Sequence, residues 1–185
     1  MPRTRRFDPE RRTRIIDAAL DLIAEEGVAG TSHRKVATRA DVPLGSMTYH
    51  FANMDELLRE AFARFTHAVI AKFERRLAAA HGLEEAREAV VDIIHEDVFA
   101  TRQDLVLTHE LYALAAREPA YRELIGEWMR RSQEALERHF DHTTARELDA
   151  LIEGLTIHRA LGAGSPDRDL ARDAVWRITS ASTGS

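Results

Sequence analysis

Apolar residues recur along this chain at intervals of three and four almost from end to end, the period of a helix that buries one face. Ile15, Ile16, Ala19, Leu20, Leu22 and Ile23 mark a first helix that opens near Asp8-Pro9 and stops at Gly27. Two short runs follow, Val36/Ala37/Ala40 and Leu44/Met47/Phe51, parted by an Asp-Val-Pro corner. Ser32 can cap the first, which extends to about Ala40, and Pro43 stands at the mouth of the second. Asn53 followed by Glu56 has the spacing of a capping box for a long fourth helix. Its stripe is Leu57, Leu58, Ala61, Phe62, Phe65, Val69, Phe73 and Leu77, and His81-Gly82 ends it. Further helical segments are predicted at about 83–100, 103–117, 119–140, 144–162 and 167–180, with breaks at Thr101-Arg102, Pro119, "DHTT" and "GAGSPD". No alternating run is long enough for a strand, so the expected fold class is all-α, with about nine helices.

Two segments are too apolar for a simple surface helix. In "DLVLTHELYALAA", Leu107, Leu111 and Leu114 line one side, and Leu105, Thr108, His109 and Tyr112 the other. A polar and aromatic side turned inward suits a ligand cavity; a plain core helix whose His and Tyr find hydrogen-bond partners is the alternative. In "RELDALIEGLTIHRALGAG", Leu148, Leu151, Ile152 and Leu155 form one stripe, and Ala150, Gly154, Ile157 and Leu161 a second. One stripe can serve the chain's own core. With Leu170, Val175, Trp176 and Ile178 of the last segment, the other predicts a subunit interface of packed helices, two from each chain. Burial of both stripes within the chain is the competing reading.

Composition narrows this picture. The 185 residues are 44% hydrophobic and 31% charged, ordinary for a soluble globular protein, with no Cys to form disulfides or thiolate sites. The absence of Cys is compatible with a cytoplasmic location, and no apolar run approaches the roughly 20 residues of a membrane span. The basic start "MPRTRRFDPERRTR" lacks a secretory-type apolar segment and is expected to belong to the mature protein. The net charge of −5 argues against a nucleic-acid partner, but its distribution does not. Residues 1–14 hold six Arg against Asp8 and Glu10, while residues 61–185 carry the whole acidic excess. A basic arm ahead of an acidic body suits a protein that meets a polyanion at one end; a solvated leader is the simpler alternative.

Two short helices joined by a tight corner and braced by an apolar first helix form a helix-turn-helix. Its second helix enters the major groove, where base edges are distinguishable. Gly45 then removes a side chain near the helix start, so the backbone can approach DNA closely. Ser46, Thr48, Tyr49 and His50 are short donors suited to phosphate oxygens, and Leu44, Ser46 and Thr48 can touch thymine methyls or base edges. Val36, Ala37, Val42, Met47 and Phe51 hold the unit together, and Arg34 is the candidate for bidentate guanine readout. Taken singly, Tyr49 and His50 could merely pack and cap, and Arg34 could pair with Asp41 or a nearby Glu.

Positions 10–60 resemble the TetR family of bacterial one-component transcriptional regulators, through "EEGVAGTS", "RKVATRADV", "GSMTYHF" and "NMDELL" in this order. The resemblance implies phosphate contacts at Ser32 and His33, base reading at Arg34, and recognition-helix contacts at Leu44, Gly45, Ser46, Thr48, Tyr49 and His50, with the last two as phosphate clamps. Four positions depart from the family pattern. Asp41 replaces a common Gly whose left-handed conformation an Asp tolerates better than most residues. Pro43 stands where a capping Ser is frequent, Thr48 where an aromatic is frequent, and Met54 where a Lys usually reaches phosphate.

A ferritin-like metal protein or enzyme is one rival, but its Glu-x-x-His repeats are missing; Asp92-Ile-Ile-His95 is the nearest pattern. HExxH, GxSxG and GxxxxGK[ST] are also missing. A helical module that binds only protein is the other rival, and it leaves the basic arm unexplained. The expectation is therefore a non-enzymatic regulator with no cofactor and no metal: a helix-turn-helix DNA-binding domain at 1–52 and a helical effector-binding and dimerisation domain at 53–185. Its expected partners are a pseudo-palindromic operator, a second copy of itself and a small-molecule effector, most simply as a repressor. Candidate effector contacts are Phe62, Phe65, Val69, Phe99, Leu105, His109, Tyr112, Trp128 and Met129. Candidate dimer contacts are Ala150, Gly154, Ile157, Leu161, Leu170 and Trp176.

Overall fold

The computed structural model describes residues 10–162 and 167–181. Arg3, Arg5 and Arg6 of the expected basic arm lie outside the described residues. Nine α-helices occur among the described residues, with no strand: α1 (Arg11–Gly30), α2 (His33–Arg39), α3 (Leu44–His50), α4 (Met54–Ala78), α5 (Leu83–Asp92), α6 (Arg102–Ala115), α7 (Pro119–Leu136), α8 (His142–Ala160) and α9 (Arg168–Ala181). The chain forms two compact units, one through Arg64 and the other from Phe65. Leu57 and Ala61, in the first turns of α4, are fully buried in the first unit's core.

That core gathers Ile15, Ala19 and Leu22 of α1, Val36 of α2, Met47 of α3 and Phe51 behind it. The regular part of α1 breaks at Gly27, whose backbone (φ 74°, ψ 171°) only glycine adopts readily, and one short turn continues to Gly30. Ser32 accepts from the Lys35 N–H at the head of α2, at a long 3.4 Å. Asn53 accepts from the Glu56 N–H at 2.9 Å, as the capping-box spacing predicted. The Glu56 carboxylate reaches the N–H of Ala52 rather than that of Asn53, closing the box one residue early.

In the second unit α5 lies against α9, α6 against α7, and α8 against α7 and α9. Its core includes Phe73, Leu77, Val90, Ile94, Leu136, Leu148, Ile152 and Val175. The expected helix 83–100 ends differently. After Asp92 it widens into a π-turn, Ile93–Asp97, closed by the Val98 N–H to the Ile93 carbonyl at 3.0 Å, and Phe99 takes a left-handed conformation (φ 49°). Groups distant in sequence cause this. Arg159 donates to the Val98 carbonyl at 2.6 Å, while Arg76 (2.8 Å) and Lys72 (3.1 Å) hold the enclosed Asp97 carboxylate. Burial alone would raise the Asp97 carboxyl, but the hydrogen bonds from Arg76 and Lys72 outweigh it and hold it below the usual carboxylate range. The next helix restarts on a capping box, in which Thr101 accepts from the Asp104 N–H at 3.1 Å and Asp104 accepts from the Thr101 N–H at 3.1 Å.

Candidate DNA-binding face and effector cavity

The corner between α2 and α3 is built by Asp41, which takes the left-handed conformation (φ 52°), with Val42 N–H closing onto the Ala37 carbonyl at 3.0 Å. Pro43 then heads α3 without a side-chain cap, and its carbonyl accepts from Ser46 N–H at 2.8 Å. Met47 and Phe51 point into the core and so fix which side of α3 is turned out. Leu44 is 51% exposed and Tyr49 80%, an apolar and an aromatic group left in water on a seven-residue helix. Gly45 has open space where a Cβ would stand. Thr48 is exposed and donates to the Gly45 carbonyl at 3.2 Å. Ser46 is half-buried.

His50 is half-buried, and burial first, then the charges of Arg11 and Arg12, push its imidazole below the ordinary range. Ser32 is exposed, whereas His33 is half-buried with Nε2 enclosed and unpartnered among the described residues. Neighbouring cations are engaged. Lys35 pairs with Glu26, Arg39 donates to Glu25 at 2.9 Å, and Arg12 pairs with Glu60 while lying 5.0 Å over the Phe51 ring. Arg34 is exposed, and its guanidinium has no ion pair or hydrogen bond among the described residues, so the alternative pairing with Asp41 or a nearby Glu is not formed. Met54 packs against the core.

The second unit contains a cavity in two lobes that share Val69, Val98, Phe99, Thr108 and Trp128. The smaller lobe has a volume of about 50 Å³ and the larger about 280 Å³, near the lower end of small-ligand sites. Of the residues singled out from sequence, Val69, Phe99, Tyr112, Trp128 and Met129 line the smaller lobe, and Phe65 joins the larger. Three line neither. Phe62 is fully buried in the first unit. Leu105 is half-buried, and His109 is exposed, its Nδ1 2.8 Å from the Leu105 carbonyl one turn back. The inward side of α6 is thus Thr108 and Tyr112 without His109.

The sequence reading missed Ser132, Asp149, Glu153 and Thr156, which also line the smaller lobe. Asp149 and Glu153 lie at i and i+4 on α8 between two apolar stripes, a spacing that was available as a signal. Burial, and then the charge of Glu153 against an opposing Gln133 hydrogen bond, push the Asp149 carboxyl up to about 6. Burial, followed by Glu153, pushes the Tyr112 phenol up as well, so it stays a neutral donor.

The two stripes of α8 part company. Leu148 and Ile152 are buried in the core, with Leu151 and Leu155 packed against it. Ala150 is exposed, Leu161 is 63% and Leu170 53% exposed, Ile157 is half-buried, and a Cβ on Gly154 would meet open space. Trp176 is half-buried, with Arg87 5.3 Å over its ring.

A three-helix head with an outward short helix, followed by a helical unit enclosing a cavity, defines a helix-turn-helix transcriptional regulator. Residues 15–61 match the sequence model of the bacterial regulatory proteins of the tetR family, and residues 81–181 match that of the tetracyclin repressor-like C-terminal domain. The HTH-type transcriptional regulator BetI of Burkholderia mallei is 33% identical over 165 residues, which is 84% of each chain. A transcriptional regulator of Streptomyces coelicolor, SCO7518, superposes with a TM-score of 0.86 at 61% identity, covering 92% of this chain and 99% of that one. The multidrug binding protein EbrR, complexed with ethidium, superposes at 0.75 with 36% identity, over 93% and 99% of the two chains. The chain belongs to the TetR family of transcriptional regulators, a family of non-enzymes. No helix among the described residues is long and apolar enough to cross a membrane.

Proposed function

We propose that the protein acts as a homodimeric repressor that leaves a pseudo-palindromic operator when a small molecule enters the cavity of its second unit. The observation that carries the DNA-reading part is the surface of α3 and the start of α2. Leu44 and Tyr49 stand in water, Gly45 leaves room for close backbone approach, and the Arg34 guanidinium has no ion pair or hydrogen bond among the described residues. Arg34 reads a base edge, and Ser32, Tyr49 and His50 position the unit on phosphates. The exposed stripe of α8 with Leu170 supports dimerisation, which would space the two recognition helices about 34–36 Å apart for successive major grooves. EbrR, captured with ethidium, supports a small organic molecule as effector.

Helix α4 supplies Leu57 to the first core and Val69 to the cavity wall, so its tilt offers a route of coupling. A ligand that prefers the tilt with misplaced recognition helices lowers DNA affinity by its differential binding energy. A mobility-shift titration on the DNA upstream of the protein's own gene tests the reading. A dimer retarding that duplex is expected; a monomer, or indifference to all duplex from its home chromosome, refutes it.

A further inference from the structure

The cavity of the second unit holds a charge imbalance that DNA reading and dimerisation leave unexplained. Asp149 and Glu153 stand one turn apart on α8 and line the smaller lobe, and neither has an ion pair with Lys, Arg or His among the described residues. The side chains that act on them are neutral: Gln133 on Asp149, and the Tyr112 phenol beside Glu153. Thr108 and Ser132 line the same lobe at 1% and 3% exposure, and their hydroxyls have no hydrogen-bond partner among the described residues. Buried hydroxyls are rarely left so. The rings of Tyr112 and Trp128, 6.5 Å apart and inclined by 37°, supply aromatic walls, and Trp128 borders both lobes.

The geometry points to an organic monocation as the ligand of this cavity. Its flat aromatic body lies against Tyr112 and Trp128, its charge beside Asp149 and Glu153, and a polar substituent reaches Thr108 and Ser132. This rests on the effector reading above and supplies its ligand chemistry. An anion would meet two acids in a medium of low dielectric, and a neutral apolar guest would leave the acids uncompensated and the hydroxyls unpaired. A cation is drawn both to the carboxylates and to the ring quadrupoles. The larger lobe does not reverse this sign. Its Lys72 is held by Asp97 at 3.1 Å, and its Asp104 is engaged in the Thr101 capping box.

Isothermal titration calorimetry of the full chain with 6-hydroxymethyl-N-methylquinolinium, the neutral 6-hydroxymethyl-N-methylquinolone and anionic 6-hydroxymethyl-2-naphthoate, which all carry the same hydroxyl for Thr108 and Ser132, separates charge from shape. The cation is expected to bind at least tenfold more tightly than the neutral analogue, and naphthoate more weakly than either. The double variant Asp149→Asn/Glu153→Gln should lose at least tenfold for the cation and less than twofold for the quinolone, with thermal melting as the check on folding. If the double variant does not fold, Glu153→Gln alone carries the test, with a loss of at least threefold. Equal affinity for the probes, preference for naphthoate, no cation binding at millimolar concentration, or cation affinity indifferent to the substitutions overturns the proposal. Cation binding that leaves the affinity for upstream DNA unchanged keeps the ligand class and removes the effector reading instead.

Discussion

The first unit turns its candidate chemistry outward from one short stretch of chain, whereas the second encloses its own among residues far apart in sequence. Leu44 to His50 is a single helix whose orientation follows from burying Met47 and Phe51. The cavity takes Val69 from α4, Phe99 after the π-turn, Tyr112 from α6, Trp128 from α7 and Glu153 from α8. The outward face therefore depends on one small core. The cavity depends on the mutual placement of several helices and on how its enclosed acids are satisfied. A surface that must meet a large rigid partner can be local, while a pocket walled by several helices cannot.

The largest effect is expected from Phe51→Ala, which empties a site that is 1% exposed and removes the ring under Arg12. Losing a buried Phe costs about 3–5 kcal/mol, and in the small first core this should abolish DNA binding. If the two regions are as separate as their cores suggest, calorimetric melting should show a weakened first unit while ligand binding by the second persists. A single transition lowered as a whole would break the contrast.

Asp149→Asn probes the enclosed region in the opposite direction. The folded carboxyl is raised from about 3.8 to about 6, so the folded state binds the proton more tightly and stability falls as pH rises between these values. Above pH 6 the charged, half-buried Asp149 destabilises the fold. Asparagine should raise stability there by on the order of 2 kcal/mol and change nothing near pH 4. Urea denaturation at pH 4 and pH 7.5 measures the difference; an equal effect at both would show that this carboxyl is not held up in the fold.

Arg34→Ala should cost about 1–3 kcal/mol on the cognate site and relax its base preference, with little change in melting temperature because the side chain is exposed. Fluorescence anisotropy on matched and mismatched duplexes separates this from loss of a phosphate contact, which would weaken all sequences alike. The smallest effect belongs to Gly154→Ala. Among the described residues a Cβ there meets nothing, so the helix should gain about 0.8–1 kcal/mol. Against a partner subunit the same methyl should weaken association, which sedimentation at falling concentration reads out. Unchanged association would move the interface off this stripe.

Much of the molecule was legible without coordinates. The helix period, the capping signals at Ser32 and Asn53, and the breaks at Gly27 and Pro119 are local properties, and the helices begin and end close to where these signals place them. The first unit was the most legible, since in a three-helix head the buried side of each helix leaves one side for everything else. Asp41 is a case in point: the left-handed turn implied by the family resemblance is the conformation it adopts. The cavity was legible only by residue type. Tyr112, Trp128 and Phe99 were foreseeable as aromatic material, but His109 shares their character and stands outside, while Asp149 and Glu153 were not among the residues singled out.

The chain's own periodicity determined that it is all-helical, with a short helix-turn-helix at its head and an apolar stripe on α8 to spare. Each of these follows from interactions within a few turns of one helix. Only tertiary structure decided that the helix after Asp92 widens and stops, that Phe99 is pressed into a left-handed turn, and that two acids share a cavity with hydroxyls unpaired among the described residues. Those outcomes hang on Arg159, Arg76 and Lys72, and on the packing of α6, α7 and α8, groups brought together by the fold rather than by the spacing of residues along the chain.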